Sequence, residues 1–385
     1  IWAILMTSIQ ARSPQQNAWP DARIKSLKTE YYHVPLAEIL VDASHGTHTH
    51  FELIICRIMT QDGFEGVGYT YTGGKGGRAI AALIEHDLKS FLLGKEGENV
   101  ESILDDMLHT NHYIGRGGLL SFAASAVDIA LWDIRCKRAD LPLHKYLGAS
   151  KSQTPCYEGF IDLDYSMSRL QEKAEQSLAS GHEAIKTKVG RTNMHEDVDR
   201  VALLRSIIGP DRKLMIDANY SYTEAQAIKF GRAVERYIID WFEEPISPDE
   251  FEAYGRIADA ISIPLAMGEN LHIIEEFERA VRYSKLTYLQ PDASNIGGIT
   301  GWLRVAELAE KNGLTVCSHG MHELHVSLLA AQPHAGMMEV HSFPIDKYTK
   351  NEIRIEDGLA FATQDPGIGV IFDDTLLKPH LIFES

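Results

Sequence analysis

Cysteine is scarce, with four in 385 residues at positions 56, 136, 156 and 317, and none falls in a CxxC spacing. That excludes a disulfide-stapled scaffold and a cysteine-ligated zinc module, and leaves reduced, buried thiols as the reading. No apolar run approaches the roughly 20 residues that a membrane-spanning helix needs, so no bilayer partner is expected. Basic residues are outnumbered as well: 37 Lys plus Arg stand against 54 Asp plus Glu, for a net charge of −17. Such a surface repels nucleic-acid phosphates and anionic lipids, so no nucleic acid or membrane partner is expected. A small carboxylate remains allowed, because a bound cation reverses the field inside one cleft. Residues 1–6 lack the basic flank and the apolar length of a secretion signal, and the expected location is the cytoplasm. Residues 1–20 show no period and are read as an irregular leader.

What is present suits a sizeable core: 44% of residues are hydrophobic and 24% are charged. From Arg23 to Tyr71 the pattern is strand-like, with Asp62-Gly63 marking a turn. Helical periodicity follows over 77–93, 100–109 and 121–138, and strands followed by helices predict an α+β unit. Beyond Gly148 short apolar strands alternate with amphipathic helices. Eight such strands are predicted, at 155–160, 184–189, 214–219, 239–245, 264–269, 288–292, 315–320 and 337–341. Eight parallel strands with intervening helices favour a closed barrel over an open sheet. The expected division is a capping domain over 21–150, a barrel over 151–342, and a return of 343–385 to the cap, with a turn at Pro366-Gly367 and a strand-like stretch at 369–372.

Residues of catalytic type stand at or near the carboxyl ends of seven successive strands: Lys188, Asp217, Glu243, Glu269, Asp292, His319 and Glu339. A lone carboxylate there would be read as a helix cap. Seven in register converge on the mouth of a barrel, where barrel active sites lie. Asp217, Glu243 and Glu269 supply three oxygen donors on consecutive strands, suited to a hard divalent cation such as Mg²⁺. In Glu243-Glu244 the side chains alternate faces, so only one serves, and the spacing leaves open which. Lys186 and Lys188 share a face, and a neighbouring ammonium lowers a lysine pKa toward usefulness as a base. Asp292 beside His319 would fix the imidazole tautomer for acid/base work. Together these parts fit removal of a proton next to a carboxylate, in the pattern of a Lys or His base with magnesium stabilising an ene-diolate.

The segments Ile185-Lys186-Thr187-Lys188, Asp217-Ala218-Asn219, Phe242-Glu243-Glu244-Pro245, Gly268-Glu269-Asn270, Pro291-Asp292 and Ser318-His319 resemble the mandelate racemase subgroup of the enolase superfamily. The resemblance implies a (β/α)7β barrel with an α+β capping domain, Mg²⁺ as cofactor and Glu243 as the ligand of its pair. It also implies Lys188 as one base, Lys186 as a substrate-side cation, and Asn219 and Glu339 as substrate contacts. The segments at 42–50, 68–77 and 339–344 are similar to those of 3,6-anhydro-L-galactonate cycloisomerases, which implies His45, Tyr71 and Lys75 as lid residues facing a sugar acid. A transition-metal site on His45, His48 and His50, or plain solvation, stays open at this point. The glycines at 73–77 lack phosphate-loop spacing and read as a mobile lid. A cycloisomerase is expected, with a sugar-acid dehydratase as the alternative. A racemase or a non-catalytic binding protein fits less well. A homo-oligomer, octamer or dimer, is implied by the resemblance alone.

Overall fold

The computed structural model describes residues 21–385. Three long strands open the chain: β1 (Ile24–Asp42), β2 (Gly46–Thr60) and β3 (Glu65–Thr72). They form an antiparallel sheet in the order β14-β1-β2-β3, in which β14 (Leu381–Glu384) comes from the far end of the chain. The helix Leu119–Arg138 covers this sheet, and 15 of its 20 residues are buried. Gly68 of β3 makes that contact possible, since a Cβ there would meet the carbonyl oxygen of Ala126 at 2.0 Å.

Strands β4 (Gln153–Gly159), β5 (Ala184–Lys188), β6 (Lys213–Asp217), β7 (Phe242–Glu243), β8 (Leu265–Met267), β9 (Tyr288–Leu289) and β10 (Thr315–Val316) pair in parallel and in sequence. β11 (Met338–His341) pairs with β4, and Val316 bonds with His334 and Gly336 just before β11. These links close the ring into a barrel of eight strands. One helix follows each of the first seven, and local sequence marks their starts: Ser166 accepts from Arg169 N, and Thr223 forms a capping box with Gln226. Tyr157, Ala184, Met215, Trp241, Ala266, Cys317 and Met337 fill the interior as one apolar layer. One pleat further toward the mouth, the same faces carry Gly159, Lys186, Asp217, Glu243 and Glu339.

The last forty residues depart from expectation. The stretch 369–372 forms no strand, only a single bridge at Phe372. Instead β12 (Arg354–Glu356) and β13 (Leu359–Phe361) form a hairpin that adds to the start of β4. Its turn, Asp357-Gly358, has positive φ at both residues, as a two-residue hairpin turn demands. The return to the first sheet is made by β14, and Gly367 bridges Pro142 at the start of the helix Leu143–Tyr146. All four cysteines are free and buried. Among the described residues no helix is long and apolar enough to cross a membrane. The leader predicted over 1–20 lies outside the described residues.

Candidate active site

Lys188 closes β5, and the strand's outer face holds it there. Its backbone N–H and the Thr187 hydroxyl both donate to Asp162, at 2.8 and 2.7 Å, and Arg200 pairs with the same carboxylate at 2.9 Å. The Lys188 ammonium faces inward, 2.5 Å from Asp217. Lys186 lies one pleat deeper with no exposed surface, paired with Glu243 at 2.6 Å, Glu339 at 2.9 Å and Asp217 at 3.5 Å. Burial and the Lys186 charge push the Lys188 pKa down, as the spacing suggests, but Asp217, Glu269 and Asp42 outweigh them and hold it above the ordinary lysine value.

Asp217, Glu243 and Glu269 present ligand oxygens within 4.8 Å of one another. Glu243 shares the interior face with Trp241, whose indole donates to it at 3.0 Å, and Gln290 donates at 2.7 Å. Glu244 turns away with φ 35° and is bonded by Asn270 at 2.6 Å, so of the pair it is Glu243 that faces the other two carboxylates. Burial and the neighbouring carboxylates push the Glu243 pKa up to about 8, against the pull of Lys186. Three carboxylates gathered in the interior repel one another, and a divalent cation is the partner that removes this cost. Asn219 donates its side-chain amide to Glu269 at 3.3 Å, while its buried side-chain Oδ1 has no protein partner. The donor set therefore fits Mg²⁺ with positions left for oxygen ligands.

On the facing strands, His319 Nδ1 donates to Asp292 at 2.9 Å, and its Nε2 lies 3.2 Å from Glu269 and 3.9 Å from Glu339. Burial opposes a charge on this imidazole, yet Glu269, Asp292 and Glu339 lift its pKa to about 10. Glu339 accepts from the backbone of Gly320 at 3.1 Å and from Lys186. Burial pushes His341, whose ring stacks edge-on 5.1 Å from His319, down to about 3.

Tyr71 does not face an open mouth: it is buried on β3, donates to Asp292 at 2.8 Å, and lies 3.4 Å from His319 Nδ1. Gly320 makes room for it, since a Cβ there would sit 2.0 Å from the Tyr71 hydroxyl. The three histidines do not form one site. His45 and His48 both engage Asp42, whereas His50 packs on His33, with ring centroids 5.1 Å apart. Asp42, His45 and His48 lie close enough to hold an ion, but each facing nitrogen is already matched to a carboxylate oxygen. Lys75 is exposed on the turn before the helix Gly77–Ala82, and its backbone N–H donates to Thr72. Tyr220 and Asp162 escaped sequence reasoning. Tyr220 had one available signal, its place directly after Asp217-Ala218-Asn219; Asp162, on a loop without a motif, had none.

Residues 28–148 match the N-terminal domain of mandelate racemase and muconate lactonizing enzyme, and residues 169–376 match the enolase C-terminal domain-like family. A 3,6-anhydro-alpha-L-galactonate cycloisomerase of Streptomyces coelicolor is 43% identical over 91% of this chain and 97% of that protein. An L-talarate/galactarate dehydratase of Salmonella typhimurium is 32% identical over 94% of this chain and 92% of its own length. A racemase from Streptomyces coelicolor A3(2), solved with bound magnesium, superposes with a TM-score of 0.91 at 42% identity, covering 93% of this chain and all of that one. With the interior carboxylates, the His319–Asp292 pair and both domain matches in hand, the chain belongs to the mandelate racemase/muconate lactonizing enzyme family of the enolase superfamily, as a magnesium-dependent enzyme.

Proposed function

We propose that this chain is a cycloisomerase that opens the ring of 3,6-anhydro-L-galactonate to give 2-keto-3-deoxy-galactonate. The observation that carries the reading is the placement of Lys188 and the His319–Asp292 pair around one set of three carboxylates. Asp217, Glu243 and Glu269 would hold Mg²⁺, with Glu244 left outside. Bound Mg²⁺ supplies the positive charge that makes a proton beside a carboxylate acidic enough to remove. Lys186, Asn219 and Glu339 line the floor on which the substrate carboxylate would rest. Either Lys188 or His319 removes the C2 proton, and the other stands ready on the opposite face. The electron pair then expels the ring oxygen from C3, and protonation at C3 leaves a keto acid of unchanged mass. The catalytic unit is the barrel over 151–342, covered by a cap over 21–150; within 343–385 the β12–β13 hairpin stays on the barrel strand β4 and β14 returns to the cap. The same reading places the enzyme in the cytoplasm as a symmetric homo-oligomer, an octamer or a dimer, which light scattering tests.

The dehydratase alternative uses the same barrel residues, and a relative at 32% identity carries that name. The purified protein, incubated with Mg²⁺ and a panel of sugar acids that includes 3,6-anhydro-L-galactonate, separates the two. An isobaric keto acid is the expected product. Loss of one water from an open-chain aldonate or aldarate, with no turnover of the anhydro acid, would replace the cycloisomerase reading by the dehydratase one. Exchange or inversion at C2 with nothing expelled would instead indicate a racemase.

A further inference from the structure

His341 ends β11, and no step of the proposed reaction uses it. Along the inner face of that strand Met337 belongs to the apolar layer and Glu339 pairs with Lys186 at 2.9 Å, so His341, two residues on, comes one pleat nearer the mouth. Lys188 stands one pleat above Lys186 in the same way, which sets His341 and Lys188 at one level. The strand between them is β4, and its Gly159, in register with Lys186 on one side and His341 on the other, puts no side chain in the gap. A Cβ at Gly159 would meet Glu339 Oε1 at 2.1 Å. On its other flank His341 lies edge-on to His319 at 5.1 Å, and His319, Glu339 and His341 each bring a ligand atom within 4.8 Å of the others. His341 therefore occupies the wall between Lys188 and His319, on the arc of the ring away from Asp217, Glu243 and Glu269.

The two ring nitrogens differ. Nδ1 accepts from the backbone N–H of Phe343 at 3.1 Å, so in the neutral ring the proton sits on Nε2. Burial, with the charges of His319, Lys188 and Lys186, keeps the ring neutral against the pull of Glu339. The side chain is only 8% exposed, yet Nε2–H has no hydrogen-bond partner among the described residues. A buried donor without an acceptor is a cost to the fold that an arriving acceptor removes. The lid does not supply one: His45 Nε2 lies 2.7 Å from the Tyr220 hydroxyl, and Tyr71 donates to Asp292 at 2.8 Å, so these lid groups are matched elsewhere. The backbone around the ring is fixed, since His341 N–H donates to His322 Nδ1 at 3.3 Å and the Ser342 hydroxyl donates to the Gly159 carbonyl oxygen at 2.7 Å.

We propose that His341 is a substrate-contacting residue whose Nε2–H donates to an uncharged oxygen, hydroxyl or ether, of the bound sugar acid. This inference rests on the sugar-acid reading above. The substrate carboxylate has its own partners there, the cation on the three carboxylates and Lys186 on the floor. His341 stands one pleat above that floor, so the oxygen it meets belongs to a carbon beyond the carboxylate. A neutral donor adds no charge between Lys188 and His319, and it orients the substrate without joining the proton transfers. A site that commits a buried donor to one substrate oxygen rejects the analogue lacking it, because the donor is then left unpaired.

The test uses the full chain with Mg²⁺ in D₂O and 3,6-anhydro-L-galactonate, or the open-chain sugar acid that the wild type turns over in its place. Analogues replace one oxygen beyond the carboxylate at a time, by hydrogen or, within a ring, by methylene. The readout is kcat/KM for proton removal at C2, followed as keto acid plus C2-deuterated substrate. His341→Asn keeps an acceptor for the Phe343 N–H but has no donor at the Nε2 position, and His341→Phe keeps the ring without either nitrogen. Both are expected to lower kcat/KM for the parent substrate about 10- to 100-fold. His341→Gln, whose amide reaches the Nε2 position, is expected to recover most of that loss. For one analogue the advantage of the wild type over the Asn and Phe variants is expected to vanish, because the contacted oxygen is gone from both sides of the comparison. Circular dichroism reports folding, and either variant decides if the other does not fold. An advantage of equal size for every analogue makes His341 a packing residue and overturns the proposal, as does wild-type kcat/KM in both variants. A wild type that turns over no sugar acid overturns the parent reading, and this inference with it.

Discussion

Lys188 and His319 approach one cleft from facing strands, and each is fixed by a carboxylate that its own strand does not supply. On the proposed two-base reading, replacing Lys188 with Met, or His319 with Asn, removes one base and leaves the other. Turnover is expected to fall by about 10²–10⁴-fold, with Mg²⁺ binding by calorimetry and the unfolding midpoint both retained. Full activity in both variants would sink the assignment of the two bases. On the same proposal Tyr71 acts through Asp292, to which its hydroxyl donates at 2.8 Å. Losing a hydrogen bond to a charged group costs about 1.5–3 kcal/mol, so Tyr71→Phe is expected to slow the His319-dependent step roughly 10- to 100-fold. Stereospecific proton exchange at C2 separates the two faces: the Lys188 face should be spared, and equal slowing of both would refute the assignment. The strand-end residues were legible because one strand-helix repeat returns each to the same mouth. Tyr71 was legible only as a lid tyrosine. Its partnership with Asp292 depends on Gly320 lacking a Cβ, and that contact joins positions 249 residues apart.

At the scale of elements, the lid stays over the barrel because the helix Leu119–Arg138 is tied to the turn after β9. Ser125 accepts from the backbone of Gly297 and Gly298, both at 2.9 Å, Asp128 accepts from Thr300 N at 3.0 Å, and Trp132 donates to the Thr300 hydroxyl at 2.9 Å. Ser125→Ala strands two buried N–H groups. It is expected to cost about 1–3 kcal/mol of stability, read as a lower urea midpoint; an unchanged midpoint would mean the tie is not needed. A second tie joins His322, the first residue of the helix His322–Ala330, to Asp346 at 3.1 Å. Burial opposes the charge on His322, but Asp346 and Glu323 lift its pKa to about 9. Because the folded value lies above the unfolded one, this pair stabilises fully below about pH 6.5 and loses its contribution as pH rises through 9. Wild type should therefore weaken over that window more than Asp346→Asn, in urea melts at matched pH; parallel profiles would refute the linkage. The barrel strands were readable from apolar runs and spacing. The β12–β13 hairpin was not read, although Asp357-Gly358 is a hairpin signal, because its flanking strands are only three residues each and half exposed.

Across the whole molecule the net charge is −17, and the fold brings three of the carboxylates, Asp217, Glu243 and Glu269, together at one interior point. Two buried lysines offset part of that charge, and Lys186 is shared among three carboxylates. The remaining repulsion is released on unfolding, so the chain alone carries a penalty that a cation removes. Binding to the folded state only stabilises it by RT ln(1 + [L]/Kd), about 2.7 kcal/mol at a hundredfold excess over Kd. Thermal unfolding is therefore expected to shift upward on adding Mg²⁺ and downward on adding a chelator, with activity lost in the chelator and restored by Mg²⁺. Monovalent salt at matched ionic strength is the control, because screening relieves exposed repulsion but acts far less on buried charges. Glu269→Gln removes one donor and part of the repulsion together, so its unfolding midpoint should respond to Mg²⁺ less than that of the wild type. A wild-type midpoint that responds equally to Mg²⁺ and to matched NaCl would mean that the interior carboxylates are balanced by the lysines alone, and that the fold does not depend on the cation its enzyme requires.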